Sequence, residues 1–133
     1  MKNIIFLLIM LIMISCGAQK IMSYNYNVVA RGYKQNINVT QDSTQIIELS
    51  RSTKTTVTKT NPEFWKALQD ASKNIELNQI NTLDSPTNKR QFDGAMFAKL
   101  IISTNDSTYT SAGFDHGHPP AMIKAVVDSL VKL

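Results

Sequence analysis

The chain has 133 residues, with 14 lysines and arginines against 10 aspartates and glutamates, a net charge of +4, and a single cysteine. That length suits one domain, and a charge so mild and scattered, with Lys89-Arg90 as the only adjacent basic pair, argues against nucleic-acid binding, which wants a clustered basic face interleaved with aromatics. One cysteine cannot form an intrachain disulfide, so the fold must be held by burial.

In chain order, Lys2 is followed by an unbroken apolar run, Ile4 to Ile14, and then by Ser15, Cys16 and Gly17. A charged n-region, a short h-region and small residues at a cleavage point are the layout of a secretory signal peptide. The run of about eleven residues falls well short of the roughly twenty needed to span a bilayer, and it lacks the polar face of a core helix. Met13-Ile14-Ser15-Cys16 resembles the lipobox of bacterial lipoproteins, with Ser15 and Cys16 matching the small residue and the lipidated cysteine. Met13 and Ile14 stand where that family favours leucine and a small residue. The plain alternative is ordinary secretion with cleavage elsewhere, although Gly17-Ala18-Gln19 follows the cysteine directly.

The resemblance implies a diacylglyceryl thioether on Cys16, usually with a third acyl chain, palmitate among them, on its amino group. Several chains together anchor stably where one does so only marginally. It implies a signal peptide at 1–15, a lipidated tether at 16–23 and a domain at 24–133. Cleavage removes Lys2, so the net charge falls from +4 to +3. Lipidation takes the only thiol, which removes thiolate metal sites and cysteine nucleophiles. Gly17 in place of aspartate implies sorting to the outer membrane, and the absence of acids after Cys16 implies the periplasmic side. Composition outside the signal is similar to small Gram-negative envelope lipoproteins of the Bacteroidota type.

From Tyr24 the texture becomes β. Tyr24, Tyr26, Val28 and Ala30 alternate with Asn25, Asn27, Val29 and Arg31, and Gly32 marks a turn or bulge. Strands are predicted at Gln35–Thr40, with Ile37 and Val39 on one face, and after an Asp42-Ser43 turn at Thr44–Leu49. Arg51–Thr60, threonine-rich with Val57 as its one aliphatic residue, reads as an edge strand whose Lys54 and Lys59 discourage edge-to-edge pairing. Asn61-Pro62 then supplies an N-cap and a first helical residue. Phe64, Trp65, Leu68, Ala71, Ser72 and Ile75 fall on one helical face, with Trp65 as a core plug and Lys66 and Asp70 four apart on the wet side.

Leu77, Ile80 and Leu83 suggest a short strand or turn, and Asp84–Asn88 a loop. Ala95–Ile102 reads as a strand opened by Asp93-Gly94, turning at Asn105–Ser107 into a partner strand at Thr108–Phe114. Pro119-Pro120 starts a terminal helix with Ile123, Val126, Val127 and Leu130 inward and Lys124, Asp128 and Lys132 outward. The fold class predicted is α+β, a mostly antiparallel sheet with two amphipathic helices on one face, in the order strands, helix, two strands, helix.

The segment Asp115-His116-Gly117-His118 is the one that looks like a site, since it holds both histidines. Imidazoles are common zinc or copper ligands, so Asp115, His116 and His118, with Asp93 as a possible complement, are the metal candidates. Too few ligands, and no helical His-Glu-x-x-His pattern, make a backbone-satisfying loop that caps the terminal helix the preferred reading, with no metal and no cofactor. Ser103, Ser107 and Ser111 lie near Asp115 and His116 without a Gly-x-Ser-x-Gly elbow. No spacing singles out a carboxylate pair for glycoside chemistry, and there is no Gly-rich phosphate loop. Tyr24, Tyr26 and Tyr33 are read as packing the first strand, against the alternative of an aromatic contact surface.

The function expected is that of a non-enzymatic, lipid-anchored envelope protein, a binding or interaction module for an envelope protein or small ligand, with the membrane as its other partner. Its rivals are a metal-dependent envelope enzyme built on Asp115, His116 and His118, and a structural component that oligomerises through the threonine-rich edge.

Overall fold

A computed structural model describes residues 19–133. The expected signal peptide and the lipidation site at Cys16 lie outside the described residues. Among the described residues, no helix is long and apolar enough to cross a membrane.

Seven strands form one antiparallel sheet: β1 (Ile21–Ala30), β2 (Tyr33–Thr40), β3 (Ser43–Leu49), β4 (Thr53–Lys59), β5 (Phe97–Thr104), β6 (Thr108–Thr110) and β7 (Phe114–Asp115). Among the described residues two α-helices accompany it, α1 (Pro62–Ser72) and α2 (Lys124–Val131). Strand order is β4-β3-β2-β1-β5-β6, with β7 also paired to β5. The first four strands are a meander. The segment containing α1 then carries the chain back so that β5 docks on the free side of β1. The α+β class, the antiparallel sheet and the chain order are those predicted.

Alternation decides which face is covered. Tyr24, Tyr26 and Val28 of β1, Ile37 and Val39 of β2, and Ala98, Leu100 and Ile102 of β5 are buried on one face. Leu68 from α1 and Ile123, Val126, Val127 and Leu130 at the C-terminal end share their core, so both helices lie on that side. The α1 N-cap forms as read: Asn61 Oδ1 accepts from the N–H groups of Glu63 (2.8 Å) and Phe64 (3.4 Å), satisfying two donors that the first turn leaves orphaned. Tyr24 buries its ring edge-on to Trp65, with centroids 5.6 Å apart at 69°, and its hydroxyl bonds Ser72 Oγ at 2.8 Å. Burial pushes the Tyr24 phenol up to about 12, against the smaller pull of the Ser72 bond. Tyr24 and Tyr26 are therefore core residues, and Tyr33 packs partly buried against the core.

Several boundaries differ from the sequence reading. β1 begins at Ile21, so Ile21–Ser23 belong to the sheet and not to a tether; Ile21 pairs with Thr104 and Ser23 with Ser103 across a bulge. Trp65 is only partly buried. Lys66 and Asp70 are exposed as read, and Asp70 pairs with Lys73 at 2.6 Å. Leu77–Thr82 is a 3-10 helix, as is Lys89–Phe92, because their apolar residues fit neither a period of two nor a full helical stripe.

The strand expected at Thr108–Phe114 is broken into β6 and β7. Ile101 pairs with Thr110 and Ile102 with Tyr109, yet Phe97 pairs with Asp115 and Ala98 with Phe114. The returning chain has thus gained one residue, a bulge. Ser111 fills it, its hydroxyl accepting from Leu100 N–H at 3.0 Å and donating to its neighbour's carbonyl, Ala112 O, at 2.8 Å. Gly113 lets the Phe97 ring approach beside it: a Cβ there would stand 2.3 Å from that ring and push it aside.

Candidate functional site

The structure separates two polar regions. The first is the histidine segment. β7 sets Asp115 fully buried, and its carboxylate is consumed by four donors: Thr87 Oγ1 at 2.5 Å, Lys89 N–H at 2.8 Å, Arg90 N–H at 3.1 Å and the Arg90 guanidinium at 3.0 Å. Burial works against the charge, but the Thr87 hydroxyl, the Arg90 backbone and guanidinium and the Lys89 N–H together hold this carboxyl well below the usual carboxylate range. Asp115 is a long-range cap on the 3-10 turn Lys89–Phe92. The expected cap on the terminal helix is absent: that end receives no side-chain cap bond. Arg90 was not singled out by the sequence, where only its adjacency to Lys89 stood out.

His116 goes elsewhere. Its Nδ1 lies 2.9 Å from Tyr26 Oη, its ring tilts over Tyr26 with centroids 5.9 Å apart, and its N–H bonds Met96 O at 2.9 Å. Burial lowers the imidazole pKa from its ordinary 6.5. The Tyr26 phenol is held far above its ordinary 10, by burial first, with a Gly117 N–H bond pulling down and Asp128 pushing up. Both shifts favour the un-ionised forms, so Tyr26 is assigned as hydrogen-bond donor to His116 Nδ1, with the imidazole proton on Nε2. His118 is exposed, and its N–H closes the turn onto Asp115 O at 2.8 Å.

The side chains of Asp115, His116 and His118 thus serve three different surroundings and do not converge. Asp93 sits exposed at φ 56° on the turn before β5. Among the described residues, no three His, Cys, Asp or Glu side chains are grouped to hold a metal ion. Ser103, Ser107 and Ser111 do not form a relay with His116: Ser103 Oγ lies 3.3 Å from Thr108 Oγ1, Ser107 offers its carbonyl to Thr104, and Ser111 occupies the bulge.

The second region is the sheet face opposite the helices. Register places three rows across it, each about 19 Å wide over five strands. They run Phe97–Val29–Lys34–Leu49–Thr53, Lys99–Asn27–Asn36–Ile47–Thr55 and Ile101–Asn25–Asn38–Gln45–Val57. Five amides stand here side by side. Asn25 Nδ2 donates to Asn36 Oδ1 at 3.2 Å; Asn36 Nδ2 returns a bond to Asn25 Oδ1 at 3.1 Å and another to Asn27 Oδ1. These mutual bonds fix the orientations of the Asn25, Asn27 and Asn36 amides and leave the Asn27 NH2 group directed to no protein acceptor among the bonds formed.

Around the amides are exposed apolar side chains, Val29 at 40%, Leu49 at 42%, Val57 at 61% and Phe97 at 38%. Lys99 Nζ stands 5.4 Å from the Phe97 ring centroid. Lys34, Lys59 and Lys99 are on this face, and it bears no carboxylate: the only acid in β1 to β6 is Glu48, which points to the helix side beside Gln35. One shallow depression is lined by Asn27, Val29, Lys34, Asn36, Ile47 and Leu49. A second, lined by Val29, Arg31, Arg90, Asp93, Gly94 and Met96, adjoins it, with Val29 common to both.

Comparison with protein families, with curated proteins and with solved structures finds no match. Fold and surface define an antiparallel α+β domain with one sheet face buried under helices and the other uncovered.

Proposed function

We propose that this protein is a lipid-anchored envelope binding module whose ligand docks on the uncovered sheet face. The observation that carries the reading is that face itself: a fixed ladder of side-chain amides, four exposed apolar side chains and three lysines, with no carboxylate. A sheet face with only solvent to meet is ordinarily charged and mixed in sign. Here its polar groups are pre-oriented, which lowers the entropy cost of binding. In the histidine segment, by contrast, the Asp115 carboxylate and His116 Nδ1 are engaged within the fold, and the exposed His118 side chain stands apart from both.

Anchoring through Cys16 fixes the presentation. Lys20 is tied to the fold by two bonds with Asn105, N–H to Oδ1 and O to N–H, both 3.0 Å. The few residues between Cys16 and Ile21 reach at most about 17 Å. The β5–β6 turn would then face the bilayer, in the outer membrane on the periplasmic side, and the Gly32 and Gly94 turns would point away.

The test is site-specific photo-crosslinking in the native envelope, with the photoreactive residue at Val57 or Phe97 on the open face and at Lys66 or Lys132 on the helix side. Adducts confined to the open-face positions support the reading. Adducts confined to the helix side overturn it. Release of a Cys16→Ala variant from the membrane, with no acyl label on the remainder, checks the anchor.

A further inference from the structure

We infer that the occupant of the open face is an anionic polysaccharide, a chain of hexuronic-acid sugars whose hydroxyls meet the asparagine ladder and whose carboxylates meet Lys34 and Lys99. This rests on the open face being the binding surface, and it names the chemistry that face would select. Three features lead to it.

The first is charge. The face holds Lys34, Lys59 and Lys99 and no acid, and the adjoining depression sets Arg31 beside its one free carboxylate, Asp93, so an anionic ligand meets net attraction along it. The second is the kind of hydrogen bond on offer. A peptide strand joins a sheet at its edge, where backbone N–H and C=O groups are free. A face offers side-chain groups only, and amides present a donor and an acceptor together. The Asn25, Asn27 and Asn36 set, locked by its own bonds, suits a ligand that projects adjacent hydroxyls from every repeat, as a sugar chain does. The third is shape. The two shallow depressions joined at Val29 form an open track, not an enclosed pocket, and the apolar surface of Val29, Leu49 and Phe97 can lie against the C–H faces of pyranose rings.

The experiment titrates the acylated protein in nanodiscs with polygalacturonate, with the same polymer fully methyl-esterified, and with poly-glutamate. Wild type is expected to bind polygalacturonate, to bind the ester at least tenfold more weakly, and to bind poly-glutamate more weakly still. The Asn27→Ala/Asn36→Ala variant should lose at least tenfold for polygalacturonate. Lys34→Glu, a change at an exposed position that leaves the amides intact, should lose a comparable factor and flatten the salt dependence. Poly-glutamate binding as tightly as polygalacturonate, unaffected by the asparagine changes but lost in Lys34→Glu, would overturn the saccharide assignment while leaving the open face as the binding surface. Polygalacturonate binding that neither variant changes would overturn both. No binding to polygalacturonate would overturn the saccharide assignment, and the crosslinking pattern would then decide the face independently.

Discussion

The Asp115 cluster and the asparagine ladder are both rich in hydrogen bonds, yet they do opposite things with them. Around Asp115, every oxygen is spent inward on Thr87, Lys89 and Arg90, and the product is a rigid loop. On the open face, Asn25, Asn27 and Asn36 bond one another and remain at the surface, and the product is an oriented set of donors and acceptors with capacity left over. A polar cluster that closes on itself in the interior stabilises; one that closes on itself at the surface is pre-organised for something else. Asp115, in the segment that looks most like chemistry in the sequence, thus holds a loop, and the part that looks like ordinary strand is the surface we propose for recognition.

Breaking the buried cluster should have the largest effect. Asp115→Asn removes the charge but not the volume, leaving the largely buried Arg90 guanidinium without its counter-ion. The thermal midpoint is expected to fall by on the order of 10 °C, read by circular dichroism. Leu130→Ala, a fully buried core position, should cost about 2–5 kcal/mol in chemical denaturation and serves as the apolar yardstick.

The Tyr26–His116 bond sharpens the comparison through pH. His116 has a folded pKa below its unfolded value of about 6.5, so the unfolded chain binds more protons just below that pH. Its contribution is complete above about 6.5 and is lost as pH falls towards the folded pKa. Protonated His116 would also turn a donor at the Tyr26 donor. Urea midpoints measured between pH 7.5 and 5 should decline for wild type, and His116→Gln should abolish that part of the slope. Asp115, whose folded pKa is also depressed, keeps its full contribution above the ordinary carboxylate range and loses it progressively as pH falls through that range towards the folded pKa.

Smaller effects are expected at the surface. Asn61→Ala should cost about 1 kcal/mol through the lost cap. Asn27→Ala/Asn36→Ala should change stability by less than about 1 kcal/mol while removing recognition. A large destabilisation there would mean that the ladder belongs with the Asp115 cluster as a structural element.

How much of this could be read in advance follows from the range of each interaction. Local signals were sufficient for Asn61-Pro62, for the Ile123, Val126, Val127 and Leu130 stripe and for the alternating strands, because period and capping act within a few residues. The β6–β7 bulge escaped, since it is a change of register against β5, Ile101 facing Thr110 but Phe97 facing Asp115, and register is set between distant positions. The Asp115–Arg90 pair, 25 positions apart, left no mark beyond an adjacent basic pair. The asparagine ladder was half visible. Asn25-x-Asn27 and Asn36-x-Asn38 each announce a face by their spacing, but only the β1–β2 register, Asn27 against Asn36 and Asn25 against Asn38, stacks the two pairs into one surface.

The most direct test of the open face as the working surface is a lysine-reactivity footprint of the acylated protein, compared between its native envelope and the purified state. Occupancy there predicts that Lys34, Lys59 and Lys99 become protected in the envelope while Lys66 and Lys132 react equally in both. Unchanged reactivity at the first three, or protection confined to the helix side, would contradict it.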